Sequence, residues 1–368
     1  MKTVRLYGFT SGWGSYAQVL RGFELGLRGM GYDDTTLAVV ALDGTESDEP
    51  EERPPLATAD IGIMLGPPTL SARLTMSARH AERWVMVAPN SDRIPESVSY
   101  AIRTTATRVL APSGWARDVL QALCEVPVTA VPHGVHPDFV PGGTADVRAQ
   151  RSASLERLYE DGAWRCLHLS STGSERKGTL VLLEAWRGAQ RSGLVPHEAE
   201  LWLIVVGGMQ MQILDELQGI LPRGVRLSPR LGARQEGASP RDLATLFASV
   251  HVVCQPSRGE AFGMVPCEAL VCGTPVIATT ATGHSEWAHY LGRDEGFVRV
   301  PTGALGPIDD LPASLAPELD PADVGAALGE GFINWHALKA AALGGVPARQ
   351  HEWDWVRQLG PLRELLDV

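Results

Sequence analysis

The stretch from Val250 to Trp287, VHVVCQPSRGEAFGMVPCEALVCGTPVIATTATGHSEW, constrains the fold more than any other part of the chain. Val250-His251-Val252-Val253 is a β-branched run of the kind buried on both faces of a parallel sheet. Pro256, Ser257 and Gly259 end that strand and open a loop. The pattern then predicts a helix from about Met264 to Cys272, with Pro266 tolerated in a first turn whose N–H groups have no helical partner. Gly273 stands where a left-handed stop belongs, Pro275 bars continuation, and Val276-Ile277-Ala278 begins the next strand. A strand–loop–helix–strand unit of this kind points the free N–H groups of its helix into a crevice, where they favour phosphate or sugar oxygens.

Two carboxylates flank that helix end. Glu260 lies in the loop, and Glu268 about 6 Å into the helix at ~1.5 Å per residue. An ionised carboxylate only accepts hydrogen bonds, which suits sugar or ribose hydroxyls. The ordinary alternative is a solvated loop glutamate beside a helix glutamate that complements the dipole.

Context favours the first reading. Glu260-Ala-Phe-Gly-Met-Val-Pro-Cys-Glu268, preceded by Gln255-Pro256-Ser257-Arg258-Gly259 and followed by Ala269-Leu270-Val271-Cys272-Gly273-Thr274-Pro275-Val276-Ile277-Ala278, resembles the E-x7-E motif of family-4 retaining glycosyltransferases. The resemblance implies the GT-B fold: two Rossmann-like, doubly wound α/β domains facing a central cleft, with a C-terminal helix crossing back. It implies transfer of a hexose-type sugar from a nucleotide-diphosphate donor to an acceptor hydroxyl. Glu260 would bind hydroxyls of the donor sugar, the N–H groups around Phe262, Gly263, Met264 and Val265 its phosphates, and Glu268 the ribose diol.

The rest of the chain fits two such domains. Strands are expected at Val4–Tyr7, Leu37–Leu42, Ile61–Leu65, Trp84–Ala88, Arg108–Leu110 and Val128–Val131, then at Cys166–Leu169, Leu201–Val206, Val225–Leu227, Val250–Cys254, Val276–Ala278 and Phe297–Val300. Tyr16, Val19, Leu20, Phe23 and Leu27 recur at helical spacing between the first two. Alternating strands and helices indicate doubly wound parallel sheets. The expected domains are 1–155 for the acceptor, 156–345 for the donor, and a tail helix over 346–368 returning to the first.

Ser170-Ser-Thr-Gly-Ser-Glu-Arg176-Lys177-Gly178 follows the first strand of the second domain. Two adjacent cations before a helix clamp a diphosphate, Arg as a fork and Lys as a point charge. The spelling resembles the family's R-K-G, which makes Arg176 and Lys177 the catalytic cations alongside Glu260. Ser171 departs from the family, in which many members carry Arg there. Gly12-Trp-Gly14-Ser-Tyr-Ala17 formally fits the dinucleotide fingerprint G-x-G-x-x-A. However, Asp43 lies farther along than the usual ~20 residues, so the resemblance assigns Gly14 to the donor diphosphate instead. Arg230, in Pro229-Arg-Leu231, would flank the base. Gly283-His284-Ser285-Glu286 follows the strand after the glutamate-bearing helix; a lone histidine is usually structural, but this one would lie near the site.

Seven arginines, Arg73, Arg79, Arg83, Arg93, Arg103, Arg108 and Arg117, crowd one stretch of the first domain in a chain of net charge −11. If residues 70–83 are helical, Arg73, His80 and Trp84 share a face. The arginines are either solvated faces paired with Glu82, Asp92 and Glu96, or a surface for an anionic acceptor such as a lipid, glycan or nucleic-acid base. The overall charge gives no general attraction to nucleic acid or anionic membranes. Asp43–Pro55 reads as an acidic surface loop and 141–163 as a linker. Five cysteines without zinc spacing read as free, buried thiols of a cytoplasmic protein, with peripheral membrane attachment left open. No transmembrane run or signal peptide is expected, and no metal or cofactor beyond the nucleotide-sugar donor. A nucleotide-sugar epimerase or phosphorylase on the same fold, and a dinucleotide oxidoreductase, stay open as alternatives.

Overall fold

Short apolar runs bounded by turn residues are buried here on both faces, and they assemble into two parallel sheets. The computed structural model describes residues 1–10, 15–42, 58–66, 80–141, 163–170, 175–205, 221–227, 238–289, 291–308 and 314–367. It divides into two units, Met1–Gly134 with Trp353–Val368, and Val135–Glu352.

In the first unit, β1 (Val4–Gly8), β2 (Leu37–Ala41), β3 (Ala59–Leu65), β4 (His80–Met86), β5 (Arg108–Ala111) and β6 (Val128–Ala130) pair in the order β2-β1-β3-β4-β5-β6. Every pairing is parallel. Helix α1 (Ser15–Gly29) buries Val19, Leu20, Phe23 and Leu27, as its period requires, while Tyr16 in its first turn is exposed. Helices α2 (Glu96–Thr105) and α3 (Gly114–Leu123) follow. The idea that 70–83 is helical fails at its end: residues from His80 onward are strand β4, paired with β3 from Ala59↔His80. His80 and Trp84 still share a face, but through the period of two in a strand.

In the second unit, β7 (Arg165–Ser170), β8 (Glu200–Val205), β9 (Val225–Leu227), β10 (Val252–Gln255), β11 (Val276–Thr279) and β12 (Phe297–Val300) pair in the order β12-β11-β10-β7-β8-β9. These pairings too are all parallel. Among the described residues the helices are α4 (Thr179–Arg191), α5 (Pro240–Ala248), α6 (Met264–Val271), α7 (Ser285–Ala288), α8 (Pro321–Ile333), α9 (Trp335–Gly344) and α10 (Val346–Glu352), with a small antiparallel pair, β13 (Leu305–Pro307) and β14 (Leu315–Pro317). The core of this unit centres on Trp164 stacked 6.2 Å from Trp186, with Phe332 edge-on at 5.7 Å. Strand order reverses between β7 and β10. The loops that leave those two strands therefore meet at a topological switch point, where ligands of open α/β sheets bind.

The tail returns to the first unit. After Asp354 caps α11 (Trp355–Gln358), Trp355 is 2% exposed, with its ring 5.9 Å from Phe23 and 5.8 Å from His133. Glycine makes that approach possible: a Cβ at Gly22 or Gly134 would overlap the Trp355 ring, and one at Gly26 would lie 2.6 Å from Leu359 Cδ1. Helix α12 (Arg363–Leu366) closes the chain, and Lys2 Nζ donates to the Leu365 carbonyl at 3.0 Å. Trp355→Ala is expected to cost about 3–5 kcal/mol through the cavity it leaves, and Gly22→Val to be as disruptive through overlap. Urea unfolding measures both; an unchanged midpoint for Trp355→Ala would mean that the tail is not part of the first core.

Candidate active site

The loops after β7 and β10 are bound to each other at the switch point. Gly178, at φ 70° before α4, packs so closely on the Pro256 carbonyl that any Cβ would overlap it. Arg258 N donates to the Arg176 carbonyl at 2.8 Å, and Arg176 Nη1 donates to the Gly259 carbonyl at 2.7 Å. Lys177 Nζ donates to Glu260 Oε1, which also accepts from Ser257 Oγ at 3.0 Å. Arg176 Nη1 lies 3.7 Å from Glu260 Oε2. Burial opposes ionisation of Glu260, but Lys177 and then Arg176 outweigh it and hold the carboxyl at about 2. Burial lowers the Lys177 pKa, and the Glu260 charge works against that fall. Arg176, Lys177 and Glu260, assigned to one site from the sequence, are thus in contact.

A second buried pair braces the same loops. Arg258 meets Glu175 through Nη1, while its Nε and Nη2 donate to the carbonyls of Pro317 and Pro307, each at 2.9 Å. That arginine ties the β13–β14 pair to the cation-bearing loop. Its position in Ser257-Arg258-Gly259 gave no signal of this, because its partners, the Glu175 carboxylate and the carbonyls of Pro307 and Pro317, lie far along the chain.

Helix α6 begins as its sequence dictates. Gly263 is its N-cap at φ 89°, Pro266 sits in the first turn, and Gly273 takes the left-handed stop at φ 71°. The first N–H groups of the helix, at Met264 and Val265, follow a buried Phe262. Glu268 is 3% exposed, and its carboxyl group makes no ion pair or hydrogen bond with a described residue. Burial alone pushes its pKa up to about 8. The two motif glutamates, alike in the sequence, are therefore opposite in state near neutrality: Glu260 ionised and Glu268 protonated. Sequence reasoning anticipated a pair of carboxylates and missed that difference, since among the described residues cations lie against Glu260 and not against Glu268.

Gly14, Ser171 and Arg230 lie outside the described residues, as do Arg73, Arg79, Asp43–Pro55 and most of 141–163. The described arginines of the first unit scatter into local contacts. Arg103 pairs with Glu96 at 2.7 Å, Arg117 with Asp118 at 2.7 Å and Arg93 with Asp92 at 3.9 Å. Arg83 Nε donates to the Thr105 carbonyl at 2.7 Å, and Arg108 Nη1 to Thr129 Oγ1 at 2.8 Å. This is the pattern of ordinary surface charge. All five cysteines are free and buried. Among the described residues no His, Cys, Asp or Glu cluster could hold a metal ion, and no helix is long and apolar enough to cross a membrane.

Residues 164–319, which include Arg176, Lys177, Glu260 and Glu268, match the family model of group 1 glycosyl transferases. A D-inositol 3-phosphate glycosyltransferase of Actinosynnema mirum is 34% identical over 161 residues, which is 42% of this chain and 36% of that protein. The match therefore spans about a third of that relative's length. Among solved structures, Anabaena HepE (Alr3699), in complex with UDP and glucose, matches with a TM-score of 0.68 at 15% identity over 100% of both chains. Sucrose-phosphate synthase of Thermosynechococcus elongatus matches with a TM-score of 0.67 at 16% identity, over 100% of this chain and 99% of its own. The likeness to both is one of fold: the two Rossmann-like domains of GT-B glycosyltransferases.

The state of Glu268 has a measurable consequence. A carboxyl whose pKa is raised in the folded protein contributes stability that is complete below its unfolded value near 4.5 and is lost as pH rises through about 8. Glu268→Gln, which cannot ionise, is expected to melt with wild type at pH 4 and to be more stable at pH 9 by about 2–4 kcal/mol. Equal stabilities at pH 9 would mean that Glu268 is not an isolated buried acid.

Proposed function

We propose that this chain is a retaining glycosyltransferase that moves a hexose-type sugar from a nucleotide-diphosphate donor to an acceptor hydroxyl. The observation that carries the reading is the contact of Lys177 and Arg176 with Glu260 where the loops after β7 and β10 meet. Cations are placed at a switch point beside a helix N-terminus, which suits a diphosphate, and the carboxylate between them suits sugar hydroxyls.

The chemistry follows from those placements. The bond from the anomeric carbon to the diphosphate oxygen breaks, and its electron pair stays on the phosphate. Lys177 and Arg176 stabilise the charge that accumulates there, helped by the N–H groups at the start of α6. Glu260, ionised throughout the physiological range, accepts hydrogen bonds from the sugar ring and orients it. The acceptor oxygen forms the new bond on the face the diphosphate leaves, and its proton passes to the departing phosphate oxygen, so configuration is kept without an enzyme-bound sugar. In this reading the side-chain cations supply the positive charge and no metal is required. Glu268 receives the ribose diol; as an ionised acceptor it must first give up its proton, so nucleotide affinity rises as pH approaches 8. Gly14 and Arg230 would complete the phosphate and base contacts.

A thermal-shift panel of UDP-, GDP- and ADP-sugars, followed by mass spectrometry of reactions with candidate acceptors, tests the proposal. Stabilisation by at least one nucleotide sugar and release of its nucleotide are expected; no shift with any would reject the reading. Lys177→Ala is expected to lower turnover at saturating donor by roughly 100-fold or more, with a smaller loss of donor affinity, because the charge it meets grows toward the transition state. Wild-type turnover in that variant would remove Lys177 from the leaving-group site.

A further inference from the structure

The loop that carries Glu260 is gripped, residue by residue, by the turn that follows β11. Glu260 N donates to Thr282 Oγ1 at 3.1 Å, and Gly283 N donates to the Glu260 carbonyl at 2.7 Å. Gly283 lies so close to Ala261 that a Cβ would overlap its backbone. Trp287 Nε1 donates to the Phe262 carbonyl at 2.8 Å. The His284 ring fills the space over Gly263 that a Cβ would need, with Nε2 2.5 Å from that position. Thr282 adopts φ 53°, a left-handed conformation costly for a β-branched residue, and Ser285 Oγ steadies it by donating to its carbonyl at 2.6 Å.

The hydrogen bonds of His284 fix its tautomer. Thr279 Oγ1 has one proton, which it donates to the Ser257 carbonyl at 2.7 Å. His284 Nδ1 lies 3.1 Å from that hydroxyl oxygen and 3.2 Å from the Thr279 carbonyl, so Nδ1 is the donor and carries the hydrogen. Nε2 is then a bare acceptor, buried and without a hydrogen-bond partner among the described residues. A phenyl ring would fill the same space without stranding that nitrogen. What histidine adds is the Nδ1–H that anchors the ring to Thr279, while a tilted contact with Trp287, ring centroids 5.2 Å apart, supports it from the side. Burial first of all holds the imidazole neutral, at about 4, despite the nearby Glu260 charge.

We propose that the turn Thr282–Trp287 is a template that sets the shape of residues 260–263, and that His284 is its positioning residue, holding Gly263 in the left-handed conformation that aims the N–H groups of α6. The inference rests on the reading of this site as the nucleotide-sugar site, but its structural half stands apart from that reading. His284 touches no reacting atom; it acts through Gly263.

Two variants separate the contributions of the ring. His284→Ala removes it, and His284→Phe keeps its bulk but loses the Nδ1–H. Hydrogen–deuterium exchange on peptides covering 259–266 is expected to show the amides of 260–264 exchanging roughly 10-fold faster in both variants, with β10 and β11 still protected. Trp287→Phe, which removes only the bond to Phe262, is expected to show a smaller increase at the same amides. With whichever of UDP-glucose, UDP-N-acetylglucosamine or GDP-mannose the wild type turns over, kcat is expected to fall roughly 10-fold or more while affinity for the free nucleotide changes by less than about 3-fold. Exchange at 260–264 indistinguishable from wild type in His284→Ala and His284→Phe overturns the proposal. So does a loss confined to nucleotide affinity with kcat intact. If the wild type uses no nucleotide sugar, the functional reading fails while the exchange comparison still decides whether the turn sets the loop.

Discussion

The contact between Lys177 and Glu260 joins two loops whose residues lie far apart in the chain, and the second unit's functional architecture depends on it. A carboxylate taken out of water is costly unless cations and hydrogen bonds replace its hydration. Glu260 has two cations and the Ser257 hydroxyl for that purpose. The same interaction makes the loops mutually dependent: a buried ion pair broken from one side leaves the other charge uncompensated, at a cost of about 3–5 kcal/mol. Each partner therefore depends on the other, and the contact holds two potential ligand groups against each other.

Around that pair the backbone is fixed by less conspicuous means. Arg258 spends its guanidinium on carbonyl oxygens of the β13–β14 pair and on Glu175, which leaves it a bracket, not a ligand group. Arg349 works in the same way at the other end of α6, donating to the carbonyls of Leu270 and Ala342 at 3.3 and 2.8 Å and to that of Glu295. The helix bearing Glu268 is thus held at its C-terminus by a buried cation and at its N-terminus by a left-handed glycine. Orientation of its N–H groups follows from both ends.

The sheet architecture was legible because a strand buried on both faces leaves a run such as Val276-Ile277-Ala278 little alternative. Helix α6 was legible almost to the residue, since Pro266, Gly273 and Pro275 each impose a backbone rule. Where polar residues belong to a strand the reading slipped: His80-Ala-Glu-Arg83 lacks the apolar pattern, and sheet pairing, not local preference, makes it β4. In the site, residue types and their order pointed to the groups that meet. Their electrostatic states were not legible, because whether a glutamate is ionised depends on what packs against it from distant segments. Glu260 has Lys177, whereas burial acts on a Glu268 that has no ion-pair or hydrogen-bond partner among the described residues. The bracing role of Arg258 escaped for the same reason, and His284, expected near the site, was not legible as a brace, because the partners of both are fixed only once the chain has folded.

The split composition of the first unit bears on the order in which the molecule can be made. Its core includes Trp355 and Leu359, set against the glycine face of α1, yet the whole of Val135–Glu352 is synthesised in between. A ribosome delivers the first sheet before the second unit and the plug for Gly22 and Gly26 after it. During that interval α1 presents an uncovered furrow, while the second unit, continuous in sequence, has every segment it needs to fold to completion. The first unit is therefore begun before the second and closed only after it, and α1 waits for its apolar cover while Val135–Glu352 is made.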